Sequence, residues 1–421
     1  MAAIIAAFSV YFVALGGPAR DTALFLWAAF LFAAISDCAL SARRVGELAL
    51  DASQEVFVGE TASLTFHLTE PLPDTVGRLD WPDGLKGPVE FAFTASENIA
   101  SAQLDFLARR RGAWELQTLW LKHPSRLSLF EIIAKARIDH TVRVVPNIRL
   151  VQSGQITSTV ISTLYGIKEN RAIGDGSEFH QLREFSQGMD VKSIDWKRSA
   201  KRRVLLAKEL RAERNHHVII AIDNGYLMSE EIAGLPKIDH AITAALATAW
   251  AAAIGGDLVG SYAYDARPRS FTAPEPGRQA FARLRSWTAD LSYLPRETNH
   301  TLAMSELKAR TPKRSLIIIF TDFIDATSAE LMIENISILG SRHLVIFVAI
   351  RDPEMEQRVS SSPDSMDSVA ELVTANLMLR ERQLVFEKLT RLGITVVDAR
   401  PGEVTAKVIS TYLDIKAREL I

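Results

Sequence analysis

The sequence holds a single cysteine, Cys38. That excludes an internal disulfide framework and any zinc site built on cysteine thiolates. It has no excess of charge of either sign. Its 48 Lys and Arg against 50 Asp and Glu leave a formal net charge of −2 over 421 residues, so no global field draws the chain to nucleic acid. With 16 Pro, 22 Gly and 48% hydrophobic residues, it is not collagen-like, low-complexity or disordered. A phosphate loop is also missing: Gly174-Asp175-Gly176 is followed by Ser177 and Glu178, not by Lys and a hydroxyl residue. The length fits two or three domains. Mean hydropathy is slightly positive at +0.08, and the excess sits at the N-terminus.

Residues 1–17 carry no charged side chain, and 4–15 are almost wholly apolar. Gly16, Gly17, Pro18, Arg20 and Asp21 break this run, and a second covers 22–36 and continues past Asp37 and Cys38 to Ala42. A spanning helix needs about 20 apolar residues, with about 17 the lower limit. Two spans in a hairpin satisfy every backbone group internally. The expectation is a transmembrane helical hairpin over residues 1–42. A cleaved leader or a buried core helix competes with it, but no Lys or Arg precedes the first run, as a leader requires. Arg43 and Arg44 follow the second run while the intervening loop holds only Arg20. By the positive-inside rule the bulk of the chain faces the cytoplasm.

Residues 48–150 read as strands. The stretches 56–58, 63–68, 91–93, 102–106 and 114–121 alternate apolar and polar residues, with turn signals at Gly59, Pro71, Pro73, Asp83-Gly84 and Gly87-Pro88. Regular short strands of this kind imply a β-sandwich-like domain. Trp114 and Trp120 are expected in its core, and Arg109-Arg110-Arg111 on a solvated face near the turn at Gly112.

From residue 218 the pattern changes. The apolar runs 218–222 and 316–320 end at Asp223 and at Thr321-Asp322. Further strands are expected at 258–264, 344–350 and 394–397, and helices at 237–254, 277–291, 328–339, 378–392 and 402–416. Residues 352–376 read as a polar insertion. Fully apolar strands alternating with helices imply an α/β domain over 218–421, a doubly wound, mostly parallel sheet with helices on both faces. Ligands of such sheets bind at the carboxyl ends of the strands, where Asp223 and Asp322 stand.

Between the two domains, residues 151–217 concentrate acids (Glu178, Glu184, Asp190, Asp195) and bases (Arg183, Lys192, Lys197, Arg198, Lys201, Arg202, Arg203). Paired carboxylates could do acid–base work, but no nucleophile stands beside a histidine in a recognisable motif. Ion pairing is the expected role. Only Trp196 interleaves the bases, so anionic lipid headgroups suit them better than nucleic acid.

The stretch Gly174-Asp175-Gly176-Ser177-Glu178-Phe179-His180-Gln181-Leu182-Arg183-Glu184-Phe185 carries a resemblance, together with its continuation from Gly188 through Asp190, Asp195 and Trp196 to Ala200 and with Lys208-Glu209. It resembles the signature of the bacterial "domain of unknown function fifty-eight" family, with Glu178, Arg183, Asp190, Asp195, Trp196, Lys208 and Glu209 as signature positions. The resemblance implies two N-terminal spans in the inner (cytoplasmic) membrane, a C-terminal von Willebrand factor A-like domain and a MoxR-type AAA+ ATPase as partner. It also implies an adhesion-type metal site, with Asp223 matching the first acid, Thr301 the threonine and Asp322 the later acid. Gly225 and Leu227 stand where that motif carries serines, so two side-chain oxygens are missing from a shell that a hard cation would need. Weak Mg2+ binding at most is expected, and no other cofactor. The competing role for Asp223 and Asp322 is helix capping.

The expected function is a membrane-anchored, non-enzymatic interaction or assembly factor. Its docking rim is expected at Tyr226, Met228, Phe323 and Asp325, where apolar side chains sit beside acids. The alternatives are a metal-dependent enzyme using the strand-end acids and an exported adhesin. No nucleic-acid partner is expected.

Overall fold

The computed structural model describes residues 10, 18–41, 48–69, 74–96, 99–169, 178–186, 189–211, 215–360, 365–418 and 420. The chain divides into two compact units, Met1–Val145 and Pro146–Ile421.

The first unit opens with helix α1 (Pro18–Ser41). Within it, Arg20–Ser41 is long and apolar enough to cross a membrane. It is the one candidate span among the described residues; the first apolar run of the sequence, Val10 apart, lies outside them. At the end of α1, Asp37 accepts hydrogen bonds from Ser125 Oγ (2.5 Å) and the Leu127 amide (3.0 Å), and Ser41 Oγ accepts one from the Arg126 amide (3.1 Å). The one acid in the last turns of an apolar helix is thereby satisfied by a β-turn.

Ten strands follow: β1 (Leu48–Ala52), β2 (Glu55–Phe57), β3 (Thr61–Thr69), β4 (Val76–Leu79), β5 (Leu85–Lys86), β6 (Glu90–Ala92), β7 (Thr94–Ser96), β8 (Ile99–Ala108), β9 (Gly112–Pro124) and β10 (Glu131–Val145). One sheet has the order β1-β3-β8-β5, with β7 also on β8, and the other β2-β10-β9-β4-β6. Their buried faces meet where Phe66 of β3 stacks on Phe91 of β6 at 5.6 Å. Two side chains depart from the sequence reading. Trp120 faces outward beneath Lys135, because the pleat puts its neighbours Leu119 and Leu121 inside. Arg111 is buried rather than solvated. Trp114 lies over Gly84, where a Cβ would come within 1.9 Å of the indole, and its ring nitrogen donates to the Arg110 carbonyl (2.9 Å).

The second unit begins with a single helical turn at Arg149–Gln152, followed by α2 (Gln155–Glu169), the antiparallel pair β11 (Glu178–Glu184) and β12 (Leu206–Arg211), and between them α3 (Trp196–Arg202). Its core is a six-stranded sheet: β13 (His217–Asp223), β16 (Leu258–Tyr264), β17 (Pro268–Pro276), β18 (Leu316–Phe320), β19 (Leu344–Ile350) and β20 (Thr395–Ala399), in the order β17-β16-β13-β18-β19-β20. The small hairpin β14 (Glu231–Ile232) and β15 (Leu235–Pro236) precedes α4 (Lys237–Ile254). All pairings in the large sheet are parallel except that of the edge strand β17. The remaining helices are α5 (Gly277–Ala289), α6 (His300–Arg310), α7 (Ala329–Gly340), α8 (Pro353–Ser360), α9 (Met366–Arg391) and α10 (Val404–Ala417).

Because successive strand residues face opposite ways, Ile219, Ala221, Ile317, Ile319, Val345 and Phe347 build one core with residues of α6, α7 and α9. Helices α4 and α10 pack together and against the sheet as well, and the alanines of α4 permit the close approach. Both faces are covered, which explains why β13 and β18 carry no polar alternation.

Three elements differ from expectation. Edge strand β17 was hidden by Pro268, Pro274 and Pro276, which an edge tolerates because its outer amides need no partner. Helix α6 lies in a stretch to which the sequence pattern assigned no element. The insertion at 352–376 is largely helical: Pro353 opens α8, and a reciprocal Ser365–Ser368 capping box starts α9 twelve residues before the expected Met378.

Candidate functional site

Strands β13 and β18 are neighbours, so Asp223, the last residue of β13, and Asp322, two residues past β18, come out at the same sheet edge. Both are almost wholly buried. Asp223 is ringed by uncharged donors. Its Oδ1 accepts from Thr298 Oγ1 (2.6 Å) and the Gly225 amide (2.8 Å), and its Oδ2 from Thr321 Oγ1 (2.6 Å). Burial pushes its carboxyl above the ordinary carboxylate range, against the opposing pull of nearby His300 and of these donors. Burial likewise pushes the His300 imidazole down.

Asp322 is held by full charges. Lys237 Nζ lies 2.7 Å from one oxygen and an Arg382 guanidinium nitrogen 2.8 Å from the other. Burial alone would raise this carboxyl, but Arg382 and Lys237 outweigh it and hold it below the usual range. Lys237 opens α4, where an ammonium meets the positive end of the helix dipole. Asp322 and Glu230 (2.5 Å) offset that penalty. Arg382 comes from α9, between the rings of Phe323 and Phe386 (5.5 and 5.1 Å to their centroids).

The pairing continues outward. Arg382 also meets Asp398 (3.1 Å), Asp398 meets Arg351 (2.6 Å), and Glu356 joins Arg351 (3.0 Å) to Arg400 (2.5 Å). From Glu230 to Arg400 the strand ends thus carry one chain of alternating acids and bases. Beside it lies a cleft of about 470 Å³, whose lining includes Leu227, Ile232, Phe323, Ile324, Met355 and Met378 above Lys237 and Arg382.

This donor set does not fit a divalent cation. A hard ion needs free oxygen acceptors. Here each Asp322 oxygen already faces a cation, and both Asp223 oxygens face donors. Thr301 does not join them: its hydroxyl accepts from Asn335 (3.0 Å) within the α6–α7 packing. The hydroxyls at Asp223 belong to Thr321 and to Thr298, the latter just ahead of Asn299, whose side chain caps α6. A Cβ at Gly225 would fall 2.0 Å from that same Thr298 hydroxyl, so the position where a serine was sought is closed. Among the described residues no group of three or more His, Cys, Asp or Glu side chains is arranged to hold a metal.

Of the expected rim, Tyr226 is 37% exposed, while Met228 at 2% is buried under its own turn and presents nothing to a partner. Phe323 is half-buried against Phe386 and Phe347. Asp325 accepts the Ser328 amide (2.7 Å) and so organises the loop into α7. What sequence reasoning missed was the cation pair. Lys237 and Arg382 lie 85 and 60 residues from Asp322, on helices with no local motif to announce the contact.

The signature residues have local duties. Asp190 accepts the Lys192 amide (2.9 Å) and Asp195 the Arg198 amide (3.1 Å), the latter capping α3. That amide bond, with Lys208 at 3.7 Å, holds the Asp195 carboxyl low. Arg183 and Trp196 are exposed, while Glu178 and Glu209 lie in β11 and β12.

The family model described as "Protein of unknown function DUF58" matches residues 181–364. The match covers less than half of the chain. Curated relatives include the uncharacterized protein Rv1480 of Mycobacterium tuberculosis (strain H37Rv) and Mb1516 of Mycobacterium bovis. Each is 23% identical over 182 residues, which is 43% of this chain and 56% of the relative. The chain thus spans about half the length of the curated relatives it matches. Among solved structures, a conserved hypothetical protein BatB from Bacteroides thetaiotaomicron is 14% identical with a TM-score of 0.34, over 48% of this chain and 99% of its own. An aerotolerance-related membrane protein from Bacteroides fragilis is also 14% identical, with a TM-score of 0.29, over 47% and 98% respectively.

Proposed function

We propose that this protein is a membrane-anchored, non-enzymatic interaction factor whose C-terminal unit is a von Willebrand factor A-like domain. It serves a MoxR-type AAA+ ATPase in the assembly or remodelling of other complexes. The observation that carries this reading is the internal neutralisation of the strand ends. Asp322, Asp398 and Glu356 are each matched by a base, so the edge where such a sheet meets its ligands is a fixed, charge-balanced rim around a cleft that mixes these charges with apolar side chains such as Ile324, Met355 and Met378. A rim of that composition suits a protein partner, with buried apolar anchors and polar surroundings. The apolar α1, preceded by a second apolar run in the sequence, anchors the chain in the inner membrane with its main domains in the cytoplasm.

The test is co-purification of the detergent-solubilised chain with a MoxR-type ATPase from the same organism. Binding is expected to survive EDTA and to fall at least tenfold in Tyr226→Ala with Ile324→Ser. Both side chains are exposed, so the melting temperature should hold. Absence of the complex, or its loss on chelation, would sink the reading.

A further inference from the structure

The signature segment holds a surface that the strand-end rim does not explain. Helix α3 starts at the Asp195 cap and ends at Arg203 in a left-handed conformation (φ 56°). It is pinned to β12 by Ser199, whose buried hydroxyl accepts the Leu206 amide (2.9 Å). With that side fixed, Lys192, Lys197, Arg198, Lys201, Arg202 and Arg203 all stand exposed. The acids of the same stretch, Asp190 and Asp195, direct their carboxylates at backbone amides. Between the bases, Trp196 is 65% exposed and Val191 62%. The exposed bases thus share one short segment with an exposed indole and a β-branched apolar side chain.

We propose that this basic, tryptophan-bearing face docks on an anionic lipid bilayer, adding a peripheral contact to the anchor. The inference rests on the reading of α1 as a membrane anchor. Two physical arguments support it. About four to six Lys or Arg side chains close to an anionic leaflet alone give only about millimolar or somewhat tighter binding. On a chain already tethered to the bilayer the local concentration reaches about the millimolar range, and such a weak site is then occupied. The indole matches the headgroup layer, where tryptophan's apolar body and N–H are both accommodated. Nucleic acid would find a single exposed ring here where stacking recognition uses several.

The test uses the full chain in nanodiscs of phosphatidylcholine alone or of phosphatidylcholine with phosphatidylglycerol, read by hydrogen exchange of the amides in 190–203. Exchange should slow several-fold in the anionic discs. High salt should remove the difference, because it screens exposed charges, and so should Lys197→Gln with Lys201→Gln and Arg202→Gln, whose side chains are exposed enough to leave the fold intact. Trp196→Ser should reduce it. Equal exchange in both discs would overturn the proposal while leaving the anchor standing, as would protection by duplex DNA but not by anionic discs. A chain that enters neither disc would overturn the anchor and this contact together.

Discussion

Asp223 and Asp322 end neighbouring parallel strands and are both hidden from water, yet they are held in opposite ways. Around Asp223 the protein supplies two hydroxyls and an amide. Around Asp322 it supplies an ammonium and a guanidinium. Burial disfavours the ionised form of both. Only at Asp322 do fixed charges outweigh it, so one carboxyl is pushed up and the other held down. The position at the strand end is therefore not what gives such an acid its character. The helices packed over the strand decide it, through the cations that α4 and α9 bring to one acid and not to the other.

The largest effect that tests this contrast is on stability. Asp322→Ala strands Lys237 and Arg382 in the interior, and breaking a buried pair costs about 3–5 kcal/mol. Glu230 and Asp398 remain as partial partners, which places the expected loss near about 3 kcal/mol. Asp223→Asn keeps the shape and one acceptor oxygen, and leaves a hydroxyl or amide poorly matched. About 1–2 kcal/mol is expected there. Urea unfolding of the solubilised chain measures both. Equal losses would mean that the cations contribute no more than the hydroxyls do.

A second test turns on the sign of the pH dependence. Asp322 has a depressed folded pKa, so its contribution is complete above the ordinary Asp value of about 4 and is lost as pH falls through the lower folded value. Asp223 has a raised folded pKa. Its contribution is present below about 4 and is lost as pH rises through the folded value. The stability gap between wild type and Asp322→Asn should therefore shrink on acidification, while the gap to Asp223→Asn should widen. Thermal melts from neutral pH to pH 3 would show it. Parallel slopes would refute the assignment of opposite shifts.

Much of the large sheet was legible from the sequence because β13, β18 and β19 are short, unbroken apolar runs, and only burial on both faces produces that pattern. Helix α4 was equally plain, with its alanines filling 237–254. What escaped was set by distance along the chain. Nothing near Asp322 announces Arg382, and the capping that separates Thr298 from Thr301 depends on Asn299 starting a helix rather than extending a loop. The proline-bearing edge β17 and the front half of α9 escaped for a different reason. Their outward faces break the usual rules, with prolines in a strand and apolar Val369, Val373 and Leu377 on the exposed side of a helix.

The smallest effect expected is that of magnesium, and its smallness is informative. A ligand that binds only the folded state stabilises it by RT ln(1 + [L]/Kd), so about 10 mM Mg2+ acting on a millimolar site would add about 1.4 kcal/mol. To bind there, the ion would have to displace Lys237 or Arg382 from Asp322, or turn away the hydroxyls that donate to Asp223. The missing oxygens at Gly225 and Leu227 give it nothing in return. Wild-type melting should therefore be the same in Mg2+ and in EDTA. Leu227→Ser should not change that, because the added hydroxyl leaves the cation pair in place. A stabilisation approaching 1 kcal/mol in wild type would mean that the two aspartates can act together on one ion, and the contrast between a neutral-held and a cation-held acid would fail.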